Sequence, residues 1–101
     1  EWVDSYLNYN PLKQYTNNTI IHKETLHREL ELIRQQGYSL DNREHNPDIV
    51  CIAAPIFGID GNLAGTIGIS APDYRFSPEK ACSFAEEVKR SAAAITEKLQ
   101  A

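Results

Sequence analysis

Residues 49–72 read IVCIAAPIFGIDGNLAGTIGISAP, and this stretch decides the fold. Two apolar runs, Ile49–Phe57 and Leu63–Ala71, have the composition of strands. Between them lies Asp60-Gly61, a dipeptide favoured in type I′ hairpin turns, which need positive φ at both central positions. Strands joined by a tight turn run in opposite directions. The stretch therefore predicts an antiparallel hairpin centred on Asp60-Gly61.

The predicted hairpin sorts its side chains onto two faces, because successive residues of a strand point to opposite sides. One face suits packing under helices and pairs Ile52 with Ile69, Ala54 with Ile67 and Ile56 with Gly65. The other, here called the small-residue face, pairs Cys51 with Ser70, Ala53 with Gly68 and Pro55 with Thr66. Such a face either forms the wall of a small-molecule pocket or admits a closely packed helix or partner chain.

The residues outside the hairpin predict helices and one more strand. Apolar residues at helical spacing indicate an amphipathic helix over Lys23–Gln36, which Gly37 ends as a left-handed C-cap. Tyr38–Asp41 predicts a short strand. Ser77-Pro78 predicts the start of a helix that runs to about Gln100. Its expected buried stripe is Phe84, Val88, Ala92, Ile95 and Leu99. The fold class is α+β, an antiparallel sheet with flanking helices.

Length and composition indicate a globular domain, or a large piece of one. The chain has 101 residues, of which 42% are hydrophobic and 24% charged, so disorder is excluded. A net charge of −4 disfavours non-specific binding of nucleic acid or of an anionic membrane. No apolar run is long enough to span a bilayer, and the first residues lack the pattern of a signal peptide.

The two cysteines, Cys51 and Cys82, show neither CxxC nor Cys/His spacing. A small secreted scaffold carries more cysteines, so we expect a reducing, cytoplasmic compartment and no bond between these two. The three histidines, His22, His27 and His45, form no metal-ligand spacing with either cysteine. We therefore expect no metal and no cofactor.

A series of spaced residues runs from Gly37 to Phe57. It reads Gly37-x-x-x-Asp41-x-x-Glu44, then six residues, then Cys51-Ile-Ala-x-x-Ile-Phe57. This series resembles the signature of the IclR family of bacterial transcriptional regulators. The segment from Tyr15 to Ile20, the Asp-Gly turn and the end of the second strand are similar to the family as well, so the resemblance covers nearly the whole chain.

The resemblance implies a protein with an N-terminal winged helix-turn-helix domain and a C-terminal effector-binding domain of GAF-like fold. Residues 1–101 resemble the second half of that effector-binding domain. DNA would then be contacted only through a separate N-terminal domain that is not in this chain. Family members are typically dimers or tetramers, and their effectors are small metabolites, often organic or sugar acids.

The resemblance also implies an effector site at the positions that match Asp41, Cys51, Gly68 and Ser70. Asp41 can accept a hydrogen bond from an effector hydroxyl, or it caps a turn. Cys51 is a weak donor or an inert strand cysteine, and Ser70 is a hydroxyl partner or a solvated strand end. Where this chain has Gly68 the family commonly has serine, so we expect extra room beside Ser70. These features favour a sugar-acid-like effector first and a smaller keto acid second.

Three functions are compatible with these patterns. The leading one is a module that senses a small organic acid and transmits a conformational bias to an attached DNA-binding domain. The second is an oligomerisation domain whose small-residue face packs on a partner. The third is a thiol enzyme that uses Cys51, which needs a base within hydrogen-bond reach that the sequence does not supply. We therefore expect no enzymatic activity.

Overall fold

The computed structural model describes residues 2–101, in which helices flank one antiparallel sheet. The elements in chain order are α1 (Trp2–Tyr9), α2 (Lys23–Gln36), β1 (Ser39–Asn42), β2 (Ile49–Phe57), β3 (Leu63–Pro72), α3 (Pro78–Cys82) and α4 (Ala85–Gln100). Among these residues, no helix has the length and apolar character required to cross a membrane. The α+β class predicted from the sequence is confirmed.

Helix α2 begins and ends at the predicted residues. Gly37 follows it with a φ of 84°, and its N–H donates to the Ile33 carbonyl at 2.8 Å. This left-handed conformation is costly for residues with a Cβ, which is why a glycine ends the helix. The strand after it, β1, lies one residue later than the pattern indicated.

The sheet has the order β1-β2-β3 within residues 2–101, and both neighbouring pairs are antiparallel. The β2–β3 register places Cys51 opposite Ser70 and Ala53 opposite Gly68, so the predicted pairing is confirmed. On the other side of β2, Asp41 of β1 lies opposite Cys51. One transverse row of the sheet therefore contains Asp41, Cys51 and Ser70.

The turn of the hairpin differs from the predicted type I′ turn. Gly61 has a φ of 81°, but Asp60 does not have the positive φ that a type I′ turn also requires. The loop is longer: the Gly58 N–H donates to the Asn62 carbonyl at 2.9 Å, and the Gly61 N–H donates to the Gly58 carbonyl at 3.0 Å. An irregularity between Ile56 and Phe57 absorbs the change, so the rest of the register is kept.

The predicted single helix after Ser77 is two helices, α3 and α4, separated at residues 83 and 84. The Ser83 hydroxyl donates to the Lys80 carbonyl at 2.5 Å, a local bond that competes with helix continuation. Phe84 turns its ring towards Phe76, with 6.0 Å between the ring centroids. As predicted, Ser77 caps α3, its hydroxyl accepting a hydrogen bond from the Lys80 N–H at 3.1 Å.

The core lies between the sheet and helices α3 and α4. Its buried side chains are Val50, Ile52, Ala54, Phe76, Ala81, Ala85, Val88 and Ala92. The predicted apolar face of β2 is therefore the one that packs under the helices. The predicted helix stripe is only partly right: Val88 and Ala92 are buried, Phe84 packs at the edge of the core, and Leu99 is 47% exposed.

Candidate functional site

The row of Asp41, Cys51 and Ser70 lies on the small-residue face, opposite the helices. Directly opposed residues of antiparallel strands point to the same side of the sheet, so the register places all three side chains together. The next row contains Ser39, Ala53 and Gly68. Cys51 is half-buried and Ser70 is exposed, since α3 and α4 cover only the other face. The face is an accessible surface with a carboxylate, a thiol and a hydroxyl.

Cys51 and Ser70 are hydrogen-bonded to each other. The Cys51 Sγ and Ser70 Oγ atoms are 2.9 Å apart, and either group can be the donor. The pair can therefore present a donor or an acceptor to a third group. Both side chains are therefore engaged in a hydrogen bond within the sheet.

Asp41 caps the turn that follows β1. Its Oδ1 atom accepts a hydrogen bond from the Glu44 N–H at 2.8 Å. The turn-capping role considered from the sequence is thus present in the structure. A carboxylate offers about four lone-pair sites, so this bond leaves acceptor capacity for a ligand hydroxyl.

Gly68 does not leave the open volume expected from the sequence. A Cβ at this position would lie 2.2 Å from the Ile52 carbonyl oxygen and 3.0 Å from the Ala53 Cβ. Glycine is required at this position because the backbone of β2 lies too close to β3 to admit a Cβ. The expectation of extra room beside Ser70 is therefore wrong, and with it the argument for a larger ligand from this residue.

The loop between β1 and β2 carries most of the charge near the site. Burial raises the pKa of the Glu44 carboxyl above its usual value, and the nearby carboxylates of Asp41 and Glu29 raise it further. Arg43 Nε donates to Asp73 Oδ2 at 3.1 Å, which ties this loop to the end of β3. A partly buried loop with these partners can hold Asp41 in one orientation.

Two residues that sequence reasoning did not assign to the site, Thr16 and Thr19, contact this loop. The Thr16 hydroxyl donates to the Arg43 carbonyl at 2.6 Å, and the Thr19 hydroxyl donates to the Glu44 carbonyl. In the sequence, both threonines lie in the segment from Tyr15 to Ile20, which resembles the family. That segment has no apolar periodicity from which its contact with the loop could be predicted. Contacts across more than 20 residues of chain leave no trace in a local pattern.

The other titratable groups lie away from the row. The His45 ring packs on Tyr15, with 4.7 Å between centroids. Cys82 ends α3, where the Tyr38 hydroxyl is 3.9 Å from its sulfur, and both cysteine thiols are free. Over residues 2–101, no cluster of histidine, cysteine and carboxylate side chains is arranged to hold a metal ion.

Two cavities lie away from the row of Asp41, Cys51 and Ser70. One of about 490 Å³ runs between α4 and the end of β2, lined by Ala54, Phe57 and Thr96 among others. Another of about 320 Å³ lies between α2 and β1, beside Leu40 and Glu44. Neither cavity is lined by Asp41, Cys51 or Ser70. The row of Asp41, Cys51 and Ser70 therefore lies outside both cavities.

Comparison with known proteins identifies the family. Residues 1–97 match the family described as bacterial transcriptional regulator IclR C-terminal. The regulator BhcR of Paracoccus denitrificans is 37% identical over 81 residues, which are 80% of this chain and 29% of BhcR. The chain spans about a third of the length of the curated relatives it matches.

Solved structures agree with this match. The IclR protein of Thermotoga maritima has a TM-score of 0.88 at 36% identity, over 98% of this chain and 40% of that one. A double mutant of the inducer-binding domain of PobR from Acinetobacter, in complex with 3-hydroxybenzoic acid, has a TM-score of 0.79 over 96% of this chain and 55% of that one. At 22% identity that likeness shows the fold alone. This chain belongs to the C-terminal domain of the IclR family of bacterial transcriptional regulators.

Proposed function

We propose that residues 1–101 are the later part of an effector-binding domain that senses a small organic or sugar acid. The observation that carries this proposal is the accessible row of Asp41, Cys51 and Ser70 on the face that the helices leave uncovered. The Cys51–Ser70 pair, at 2.9 Å, has one proton left to donate to a ligand, and Asp41 supplies an acceptor. In a hydroxy acid, the ligand carboxylate would accept a hydrogen bond from the Cys51–Ser70 pair, and the ligand hydroxyl would donate one to Asp41.

The chemistry of the row limits the ligand class. An ionised Asp41 carboxylate accepts hydrogen bonds only, so it favours a ligand hydroxyl and repels a second carboxylate. The same fold holds a hydroxylated organic acid in the double mutant of PobR, which was solved with 3-hydroxybenzoic acid. Binding acts as a switch when the ligand prefers one arrangement of the protein by a few kcal/mol.

We place this domain in a cytoplasmic transcriptional regulator that forms a homodimer or homotetramer. The family match supports regulation of transcription. The net charge of −4 argues against DNA contact by this chain, so DNA binding belongs to a separate N-terminal domain. The two free thiols are compatible with a reducing compartment.

The test is a thermal-shift screen of the full-length protein against sugar acids, hydroxy acids and keto acids, followed by calorimetric titration of the best ligand. A ligand at about 100 times its Kd is expected to stabilise the protein by about 2.7 kcal/mol. Ser70→Ala is expected to weaken binding by about 1–3 kcal/mol, because it removes a hydroxyl partner of the ligand. Ser5→Ala, on the exposed side of α1, is the matched control. A panel without any stabilising acid contradicts the proposal.

A ligand-free oligomerisation role is the second candidate. The exposure of Ser70 and Gly68 on the sheet face that the helices leave uncovered favours it. Ser70→Tyr in the full-length protein separates the two functions. If the face is a subunit interface, the bulky side chain lowers the oligomeric state in sedimentation; if the face binds a ligand, it blocks binding and leaves the assembly intact.

A thiol enzyme is less well supported by the geometry. The histidine nearest to Cys51 along the chain, His45, packs its ring on Tyr15, and the thiol bonds to Ser70. A nucleophilic cysteine needs a base or a positive neighbour. The test is the rate of Cys51 alkylation measured against pH in the full-length protein: rapid alkylation at acidic pH would favour the enzyme.

A further inference from the structure

The segment before α2 reaches across the fold through three side chains: the hydroxyls of Thr16 and Thr19, and the amide of Asn18, which donates to the Asn42 carbonyl at 2.9 Å. Thr16 and Thr19, here called the threonine pair, bond to the loop between β1 and β2. The Thr16 Oγ1 atom donates to the Arg43 carbonyl at 2.6 Å, and the Thr19 Oγ1 atom donates to the Glu44 carbonyl. Both contacts span at least 25 residues of chain, so they hold two separate segments together.

The hydroxyls of the threonine pair are oriented by their own segment. A hydroxyl has one proton to donate and two lone pairs to accept with. The Thr19 oxygen accepts from the Thr16 N–H at 2.9 Å and from the Tyr15 N–H at 3.1 Å, and the Thr16 oxygen accepts from the Asn18 N–H at 3.0 Å. With these acceptor sites used locally, each proton points outward to a loop carbonyl.

The loop that receives these bonds leads directly to Asp41. Glu44 accepts from Thr19 through its carbonyl and donates through its N–H to the Asp41 carboxylate at 2.8 Å. Arg43, whose carbonyl accepts from Thr16, has a φ of 59°. This left-handed conformation is uncommon for a residue with a Cβ and persists when the surroundings hold it.

We propose that Thr16 and Thr19 are positioning residues of the ligand site: they hold residues 43 and 44 so that the Glu44 N–H orients the Asp41 carboxylate beside Cys51. This inference rests on the proposed function, because Asp41 matters only if it meets a ligand. Without the threonine pair, the loop relaxes and the Asp41 carboxylate is no longer held in one orientation. Ligand binding then becomes weaker, because ordering this side chain costs free energy.

The first experiment measures loop order in the ligand-free, full-length protein. Hydrogen–deuterium exchange of a peptide covering residues 41–48 is compared among the wild type, Thr19→Val, Thr19→Ser and the control Thr25→Val on α2. Thr19→Val is expected to speed exchange in this peptide about tenfold, because the carbonyl anchor of Glu44 is lost. Thr19→Ser keeps the hydroxyl and is expected to restore the wild-type rate. Unchanged exchange in Thr19→Val overturns the proposal.

The second experiment measures whether that order serves binding. Thr19→Val is expected to weaken a hydroxylated acid about five- to tenfold, and to leave its analogue without the hydroxyl unchanged. In an Asp41→Asn background, Thr19→Val is expected to cause no further loss, since coupled residues act as one unit. An acid that loses affinity on Asp41→Asn but not on Thr19→Val overturns this inference alone. If no acid binds the wild type, the proposed function fails, and this inference fails with it.

Discussion

Two glycines of β3 differ in what surrounds their missing side chains. The Cβ position of Gly68 lies 2.2 Å from the Ile52 carbonyl oxygen, whereas nothing lies within 4 Å of the Cβ position of Gly65. Gly68→Ala is therefore expected to destabilise the protein by about 1–3 kcal/mol, because the strands must separate to admit the methyl group. Gly65→Ala is the matched control and is expected to change stability by no more than about 0.5 kcal/mol. Urea unfolding of both variants measures the difference, and equal midpoints would contradict the close approach.

Glu44 is expected to make stability depend on pH. Burial, together with Asp41 and Glu29, raises the pKa of its carboxyl in the folded protein. The folded state therefore binds the proton more tightly than the unfolded state. The resulting contribution to stability is complete below the ordinary glutamate pKa and is lost as the pH rises through the folded-state pKa.

Glu44→Gln removes this dependence while keeping an oxygen near the Asn42 N–H. The difference in unfolding free energy between Glu44→Gln and the wild type is expected to shift in favour of the variant as the pH rises from 4 towards 7. Denaturant unfolding at several pH values measures it. Glu31→Gln, an exposed pair partner of Arg34 on α2, is the control. A difference that stays constant across this range contradicts the raised pKa.

At the scale of elements, the register of the β2–β3 hairpin was predicted correctly although the predicted type of its turn was wrong. Alternation of small and branched side chains from Cys51 to Ile56 and from Gly65 to Ser70 admits one pairing that buries the branched set. A slip by one residue would expose Ile52 and bury Cys51. Several turn conformations can join two strands in this register. The turn type was therefore harder to predict than the register.

The hairpin loop is expected to depend on one glycine. Gly61 has a φ of 81°, and Gly58 does not adopt a positive φ. Gly61→Ala is expected to cost about 1–2 kcal/mol of stability, because the left-handed conformation is unfavourable for residues with a Cβ. Gly58→Ala meets only ordinary contacts and is expected to cost less. Thermal unfolding compares the two, and a larger loss at Gly58 would contradict the loop geometry.

At the scale of the whole molecule, β3 is one of the two edge strands of the sheet formed by residues 2–101, and it is the longer one. Its ten residues carry no charged side chain. Long uncharged edges pair readily with further strands. The 101-residue chain on its own is therefore expected to self-associate as its concentration rises.

Thr66→Lys places a charge on this edge and is expected to reduce the association, as edge lysines do in natural sheets. Sedimentation of the two 101-residue chains over a range of concentrations measures the effect. Thr25→Lys, which adds the same charge on α2, is the control. A wild-type chain that stays monomeric, or a Thr66→Lys chain that associates equally, would contradict the role of the β3 edge.

The sequence by itself determined the features that local chemistry controls. Apolar residues at helical spacing are enough to predict a helix over Lys23–Gln36, and Gly37 marks its C-terminal end. Cys51, Gly68 and Ser70 share a face because side chains alternate along both strands of one hairpin. The family could also be recognised from the sequence, because its signature consists of spaced residues from Gly37 to Phe57.

The tertiary structure decided what depends on contacts between distant segments. The lack of space for a Cβ at Gly68 arises from the backbone of the neighbouring strand β2. Thr16 and Thr19 reach residues 43 and 44 only because the fold brings the two loops together. Periodicity reports which side of an element is apolar, whereas distances and hydrogen-bond partners depend on the packing of elements that are far apart in the chain.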